Sequence, residues 1–398
     1  MRIASACLSL VLVLGLTACG GGSSSGGDNN EPPANSGIDQ RALLTNYASI
    51  MRQGFAALGG SVDALETSVI TYCDSLGSAG EPAARTAAQD AFKSAMNDVQ
   101  YSLLHSVGPS LEDDRMVQLY SWPLTSSCQI DLKLARNLTE LNLAVNIRGL
   151  DALEYLLFVD PAANHSCPAS LIPSPPDLLD NFDALSADQK QARRCDFMRN
   201  VVDDAAASAQ ILADAWDPAI DDYGTTLINA VNPAEALNEV TDAMFYFEEL
   251  VKENKLDQPL GGLLTNITPS CGAWQPCPQD VESPHARISK ENLRVNMIAF
   301  QELYHGGAPD DTDALGLDDW LIEEGETALA TNFGDNIQAV IDGLDNLNGT
   351  LYDAISNDLD ALNALLTGPV QDVSIPLRES ILQVLGLSLP QGSASDTD

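Results

Sequence analysis

The chain has 398 residues, with 57 Asp and Glu against 19 Lys and Arg, and a formal net charge of −38. Such a field repels nucleic acid and anionic lipid headgroups, and it attracts cations and basic partners. With 45% hydrophobic residues the chain can fill packed cores, and roughly 360 residues beyond the leader and linker suggest two domains.

The first element is a leader, residues 1–18. Arg2 supplies a positive start, and the apolar run from Ile3 to Leu16 is shorter than the roughly 20 residues that span a bilayer. It fits the apolar region of an export signal. The run ends in Leu16-Thr17-Ala18-Cys19, a lipobox pattern in which Cys19 takes the lipid and anchors the mature chain. Residues 19–37 form a Gly/Ser-rich flexible linker. Gly20 after the lipidated cysteine is no inner-membrane retention signal, so the expected place is the outer membrane, facing the periplasm, with the lipid as the only membrane contact.

From residue 38 the apolar spacing is helical almost throughout, and period-two alternation is scarce. Helices are expected over Ile38–Asp74, Pro82–His105, Ile130–Phe158 and Ala187–Trp216. Pro82 suits a first turn, and Ser186 reads as an N-cap. The second half offers Pro218–Val231, Pro233–Asn254, Ile288–Tyr304, Asp313–Asn332, Asp335–Leu347, Thr350–Leu366 and Ile375–Leu385. The fold class is therefore all-α: two consecutive four-helix-bundle domains, 38–216 and 217–390, followed by a disordered tail, 391–398. Asn146–Glu154 echoes Asn296–Tyr304, which is compatible with duplication.

Six cysteines remain after Cys7 leaves with the leader and Cys19 is lipidated: Cys73, Cys128, Cys167, Cys195, Cys271 and Cys277. An even number in an oxidising compartment points to disulfides. The simplest pairing is sequential: 73 with 128, 167 with 195, 271 with 277. Trp122, Trp216, Trp274 and Trp320 are scattered and read as packing anchors. Asp310–Asp313 reads as a cap for a helix beginning near Asp313.

The most informative stretch is Asn146–Phe158, NIRGLDALEYLLF. Asp151 and Glu154 stand at i and i+3 and share a helix face. They are embedded in apolar residues, so each needs a partner. Arg148, three residues before Asp151, could pair with it, and Arg294 or Arg287 could reach Glu154, which would make a buried ion network without metal. The alternative partner is a cation.

The chain resembles the imelysin-like family, exported bacterial proteins with two helical bundles. The family's hallmark is GxHxxE followed by Tyr-Leu-Leu. Here Gly149-Leu150-Asp151-Ala152-Leu153-Glu154 precedes Tyr155-Leu156-Leu157, with Asp151 in the place of the His and Arg148 just before the Gly. Lys290-Glu291-Asn292-Leu293, Leu303-Tyr304-His305-Gly306 and Leu385-Gly386-Leu387 extend the similarity over most of the mature chain. The resemblance implies a cell-envelope protein linked to iron uptake, with the motif pair near the junction of the bundles. Carboxylates in place of imidazole favour iron as Fe(III), or another hard cation such as Mn(II), Ca(II) or Mg(II). Glu302, Tyr304 and His305 are the candidate further ligands, because their helix echoes the first.

The family also carries a metallopeptidase label. HExxH, the usual spelling for that chemistry, is absent here, so no catalytic residue is assigned. The competing expectation is a metal-free scaffold. It would dock an envelope transporter or redox protein through the bundle junction or the Cys271–Cys277 loop.

Overall fold

The computed structural model describes residues 37–141, 144–171, 177–265 and 267–390. The leader, Cys19, nearly all of the linker and the tail from 391 lie outside the described residues. Every regular element among the described residues is helical. None of these helices is long and apolar enough to cross a membrane.

The longest amphipathic stretches become the longest helices. Helix α1 (Gln40–Asp74) is capped by Asp39, whose carboxylate accepts the N–H groups of Arg41 at 3.0 Å and Ala42 at 3.2 Å. Helix α2 (Glu81–Leu103) carries Pro82 in its first turn, where the missing N–H costs nothing. Short helices α3 (Arg115–Leu119), α4 (Ser127–Ala135), α5 (Gly149–Phe158) and α6 (Asp177–Asp183) follow. Helix α7 (Ala187–Trp216) opens on Ser186, which forms a reciprocal capping box with Gln189. Helix α1 packs against both α2 and α7. Leu58, Val62, Leu65, Phe92, Val99, Val201 and Leu212 are all fully enclosed, each contributing about 1.5–3 kcal/mol of burial energy. Phe55 stacks on Trp216 with ring centres 5.5 Å apart.

The second half continues through α8 (Tyr223–Ile228) and α9 (Pro233–Met244), a π-helix (Phe247–Asp257) and the single turn α10 (Gln258–Leu260). A long loop leads to α11 (Ser289–His305), α12 (Leu317–Glu323), α13 (Thr327–Asn346), α14 (Leu351–Asn357) and α15 (Leu359–Leu365). Short π-helical turns then separate α15 from α16 (Gln371–Pro376) and α16 from α17 (Leu382–Leu385). Helix α11 packs on α13 within this half and on α2 of the first half. One apolar core runs through both halves.

Several expectations need correction. The expected helix over 130–158 is interrupted: α4 stops at Ala135 and α5 starts at Gly149. Asn137 takes φ +54°, and Arg148 is extended. The GLDALE motif therefore opens a helix instead of lying deep within one. Its echo in α11 is helical throughout, so the two stretches differ in conformation. The helix expected from Asp313 begins at Leu317, and the break expected near Asp335 falls at Gly325, φ +89°.

Two of the three disulfides also pair differently: Cys73 with Cys195 and Cys128 with Cys167, with Cys271–Cys277 as expected. The reason is packing. The C-terminal end of α1 lies beside α7, while Cys128 belongs to a separate small cluster with Leu132, Cys167 and Leu179. Trp216 and Trp320 are buried anchors. Trp274 is 65% exposed at the tip of the Cys271–Cys277 loop.

Candidate functional site

Gly149 sets the geometry. It opens α5 at φ +72°, and a Cβ there would stand 2.6 Å from the carbonyl oxygen of Leu119 and 2.8 Å from that of Gln118. Only glycine lets the start of α5 press so closely on that segment. The next residues of the same segment then meet the motif. The N–H groups of Ser121 and Trp122 donate to Asp151 Oδ2 at 2.8 Å and 3.0 Å.

Glu154, one turn on, is held from the other half. The N–H groups of His285 and Ala286 donate to Glu154 Oε1, both at 2.7 Å. Each carboxylate is thus clamped on one oxygen by two consecutive backbone donors. Asp151 Oδ1 is buried without a hydrogen-bond partner, and both donors to Glu154 fall on Oε1. The two side chains line a cavity of about 330 Å³ together with Trp122, Tyr155, Asp280 and His285.

Burial dominates the electrostatics. Asp151 is 5% exposed and Glu154 3%. Desolvation pushes Asp151 up to about 7, against the lowering effect of the Ser121 N–H, with Glu282 raising it further. Desolvation pushes Glu154 up to about 8, against the Ala286 and His285 donors, with Asp151 and Glu282 adding to the rise. The His285 ring packs edge-on against Tyr155 with centres 5.5 Å apart. Burial, with Arg287 and Arg194, lowers its pKa, so its imidazole is neutral near pH 7.

The anticipated ion network does not form. Arg148 turns away from Asp151 because its backbone is extended. It binds Asp204 of α7 instead, with Nε at 2.8 Å from Oδ2 and Nη2 on Oδ1. Arg294 pairs with Asp345 at 2.7 Å, and Arg287 lies over the Tyr352 ring at 3.5 Å. Glu154 is held by backbone instead of an arginine.

The three further ligands expected from α11 do not join the pair either. Glu302 accepts from the Tyr101 hydroxyl, Tyr304 donates to the Ala330 carbonyl at 2.8 Å, and His305 Nδ1 pairs with Asp318 at 2.7 Å. Glu302 and His305 line two other cavities. Among the described residues no three His, Cys, Asp or Glu side chains converge as a metal cage. The supportable donor set is two carboxylates in a cavity roomy enough for water. That resembles the way a cation such as Mg²⁺ is held by one or two carboxylates while keeping several waters.

Sequence reasoning missed the residues that do surround the pair. Ser121, Trp122, His285 and Ala286 act through backbone N–H groups, which carry no residue signature. Glu282 and Lys255 form a buried ion pair at 3.3 Å beside the site. The one available hint was a lysine in a chain with only 19 Lys and Arg, close to an apolar helical run.

Comparisons with known proteins agree with this geometry at the level of fold. The imelysin family model (Peptidase_M75) matches residues 51–374, a span that includes the whole GLDALE segment. No curated protein matches the chain. An imelysin-like protein from Psychrobacter arcticum 273-4 superposes with a TM-score of 0.65 at 14% identity, covering 89% of this chain and 98% of its own. A structure from Parabacteroides distasonis ATCC 8503, named as an iron-regulated protein A precursor, gives a TM-score of 0.63 at 15% identity, covering 90% and 96%. With its family model spanning most of its length and an all-helical fold shared with these structures, the chain belongs to the imelysin family.

Proposed function

We propose that this protein is a lipid-anchored component of the cell envelope that binds a hard cation, iron foremost, between Asp151 and Glu154. The cation is cargo in iron acquisition or handling. The observation that carries the reading is a buried acid pair, Asp151 and Glu154, lining one cavity, with an Asp151 Oδ1 that has no hydrogen-bond partner. Two desolvated carboxyl groups with no cationic side chain on either oxygen are expensive to ionise, and a bound cation offsets that cost. Oxygen donors select hard ions. The Cys19 lipobox supports the anchor, and the printed name of the Parabacteroides distasonis structure supports the link to iron.

Equilibrium dialysis with Mn²⁺, Ca²⁺, Zn²⁺ and anaerobic Fe²⁺ at pH 8 tests the assignment. The Asp151→Asn/Glu154→Gln double variant is expected to bind Mn²⁺ and Fe²⁺ at least about tenfold more weakly than the wild type. Equal binding by the two proteins would remove the site.

A second reading is favoured by the exposed Trp274 on its stapled loop: a scaffold that docks an envelope transporter or redox protein. Protein purified without chelator and carrying far less than one equivalent of metal, yet retaining a partner that Trp274→Ala loses, would favour it.

A further inference from the structure

The two backbone clamps on the acid pair come from segments far apart in sequence, and one side chain joins them. Glu282 is 1% exposed. Its Oε1 accepts the Tyr120 hydroxyl, the Gln100 amide at 2.6 Å and the Lys255 ammonium at 3.3 Å. Tyr120 immediately precedes Ser121 and Trp122, the donors to Asp151. Glu282 itself lies three residues before His285, the first donor to Glu154. Its own carbonyl is fixed by the Ser289 hydroxyl at the start of α11.

Lys255 closes the device from the π-helix. It is fully buried, bonds Gln100 Oε1 at 2.6 Å and Asn296 Oδ1 at 2.8 Å, and sits over the rings of Tyr120 and Tyr246. Its charge balances Glu282, which would otherwise be a third unpaired carboxylate beside Asp151 and Glu154. Burying one member of such an ion pair alone is strongly unfavourable.

We infer that Glu282, held by Lys255, is the positioning residue of the acid pair: it locks segment 120–122 to segment 282–286 so that Asp151 and Glu154 face one cavity. This rests on the cation-binding reading for its purpose but not for its geometry. Glu282 needs no contact with the cation, and its effect is transmitted through four backbone N–H groups.

Amide hydrogen exchange on the ligand-free protein, read by NMR, separates the two. In Glu282→Ala the amides of Ser121, Trp122, His285 and Ala286 are expected to lose at least about tenfold protection, while Leu58 and Val62 in α1 keep theirs. Glu282→Gln retains an acceptor for Tyr120 but leaves Lys255 without its counter-charge, and it is expected to restore the protection in part. Should Glu282→Ala fail to fold, Tyr120→Phe removes one leg only. It is expected to expose Ser121 and Trp122 and to leave His285 and Ala286 unchanged. Unchanged protection of all four amides in Glu282→Ala, or of Ser121 and Trp122 in Tyr120→Phe, would overturn the inference. Mn²⁺ dialysis on the same proteins reads the consequence: affinity falls about tenfold in Glu282→Ala and recovers in part in Glu282→Gln. A wild type that binds no cation defeats the functional reading while the exchange result still decides the positioning role.

Discussion

At the scale of single residues, the chemistry depends on Gly149 as much as on the acids. Its left-handed backbone costs any other residue about 1–2 kcal/mol, and the Leu119 carbonyl leaves no room for a Cβ. Gly149→Ala is expected to lower unfolding free energy by about 2 kcal/mol or more by urea denaturation. It should also weaken cation binding, because Ser121 and Trp122 must retreat. The acids themselves give a pH signature. In the unfolded chain they titrate near ordinary carboxylate values, whereas in the fold they hold protons to about 7 and about 8. Between about pH 4 and 8 the folded state therefore binds more protons, and stability falls as pH rises, by about 1.4 kcal/mol per pH unit for each proton held. Urea denaturation at pH 5 and pH 8 should show this fall in the wild type and a smaller one in Asp151→Asn/Glu154→Gln; identical slopes would contradict it. Cations compete with those protons, so affinity rises from pH 6 to pH 8. The shared face of Asp151 and Glu154 was legible from their spacing. Their partners were not, because backbone donors arrive through tertiary packing.

At the scale of elements, helix existence was readable from apolar periodicity, and the caps at Ser186 and Pro82 behaved as local chemistry dictates. What periodicity missed was that α4 ends at Ala135 and α5 begins afresh at Gly149. Apolar residues continue between them (Leu138, Leu141, Ile147), and a one-residue glycine signal inside an apolar run does not reveal whether its φ is positive. The same limit explains the disulfides: sequence order says nothing about which helix ends meet. Cys73–Cys195 closes 122 residues, so replacing both by Ser is expected to cost about 3–5 kcal/mol. Cys271–Cys277 closes only six, and its loss is expected to cost about 2 kcal/mol. Denaturant midpoints for the two double variants check the order; a larger loss for the short loop would contradict it. The π-helix over 247–257 could not be foreseen either, and it carries the fully buried Lys255.

At the scale of the whole molecule, α2 and α11 bring the two halves of the chain together, and the acid pair draws one clamp from each. Asp151 is held by residues 121 and 122, and Glu154 by residues 285 and 286. The family was readable from the motif, and the all-helical class from the apolar periodicity. The candidate ligands Glu302, Tyr304 and His305 were placed by an internal echo that holds in sequence and not in space. The proposed cation sits between Asp151 and Glu154, and anomalous diffraction from a crystal soaked in Mn²⁺ at pH 8 would locate it. The prediction is a peak within about 2.0–2.6 Å of Asp151 Oδ1 and of a Glu154 oxygen, with the remaining ligands water. A bare cavity at saturating Mn²⁺, or a peak only elsewhere on the molecule, would contradict it.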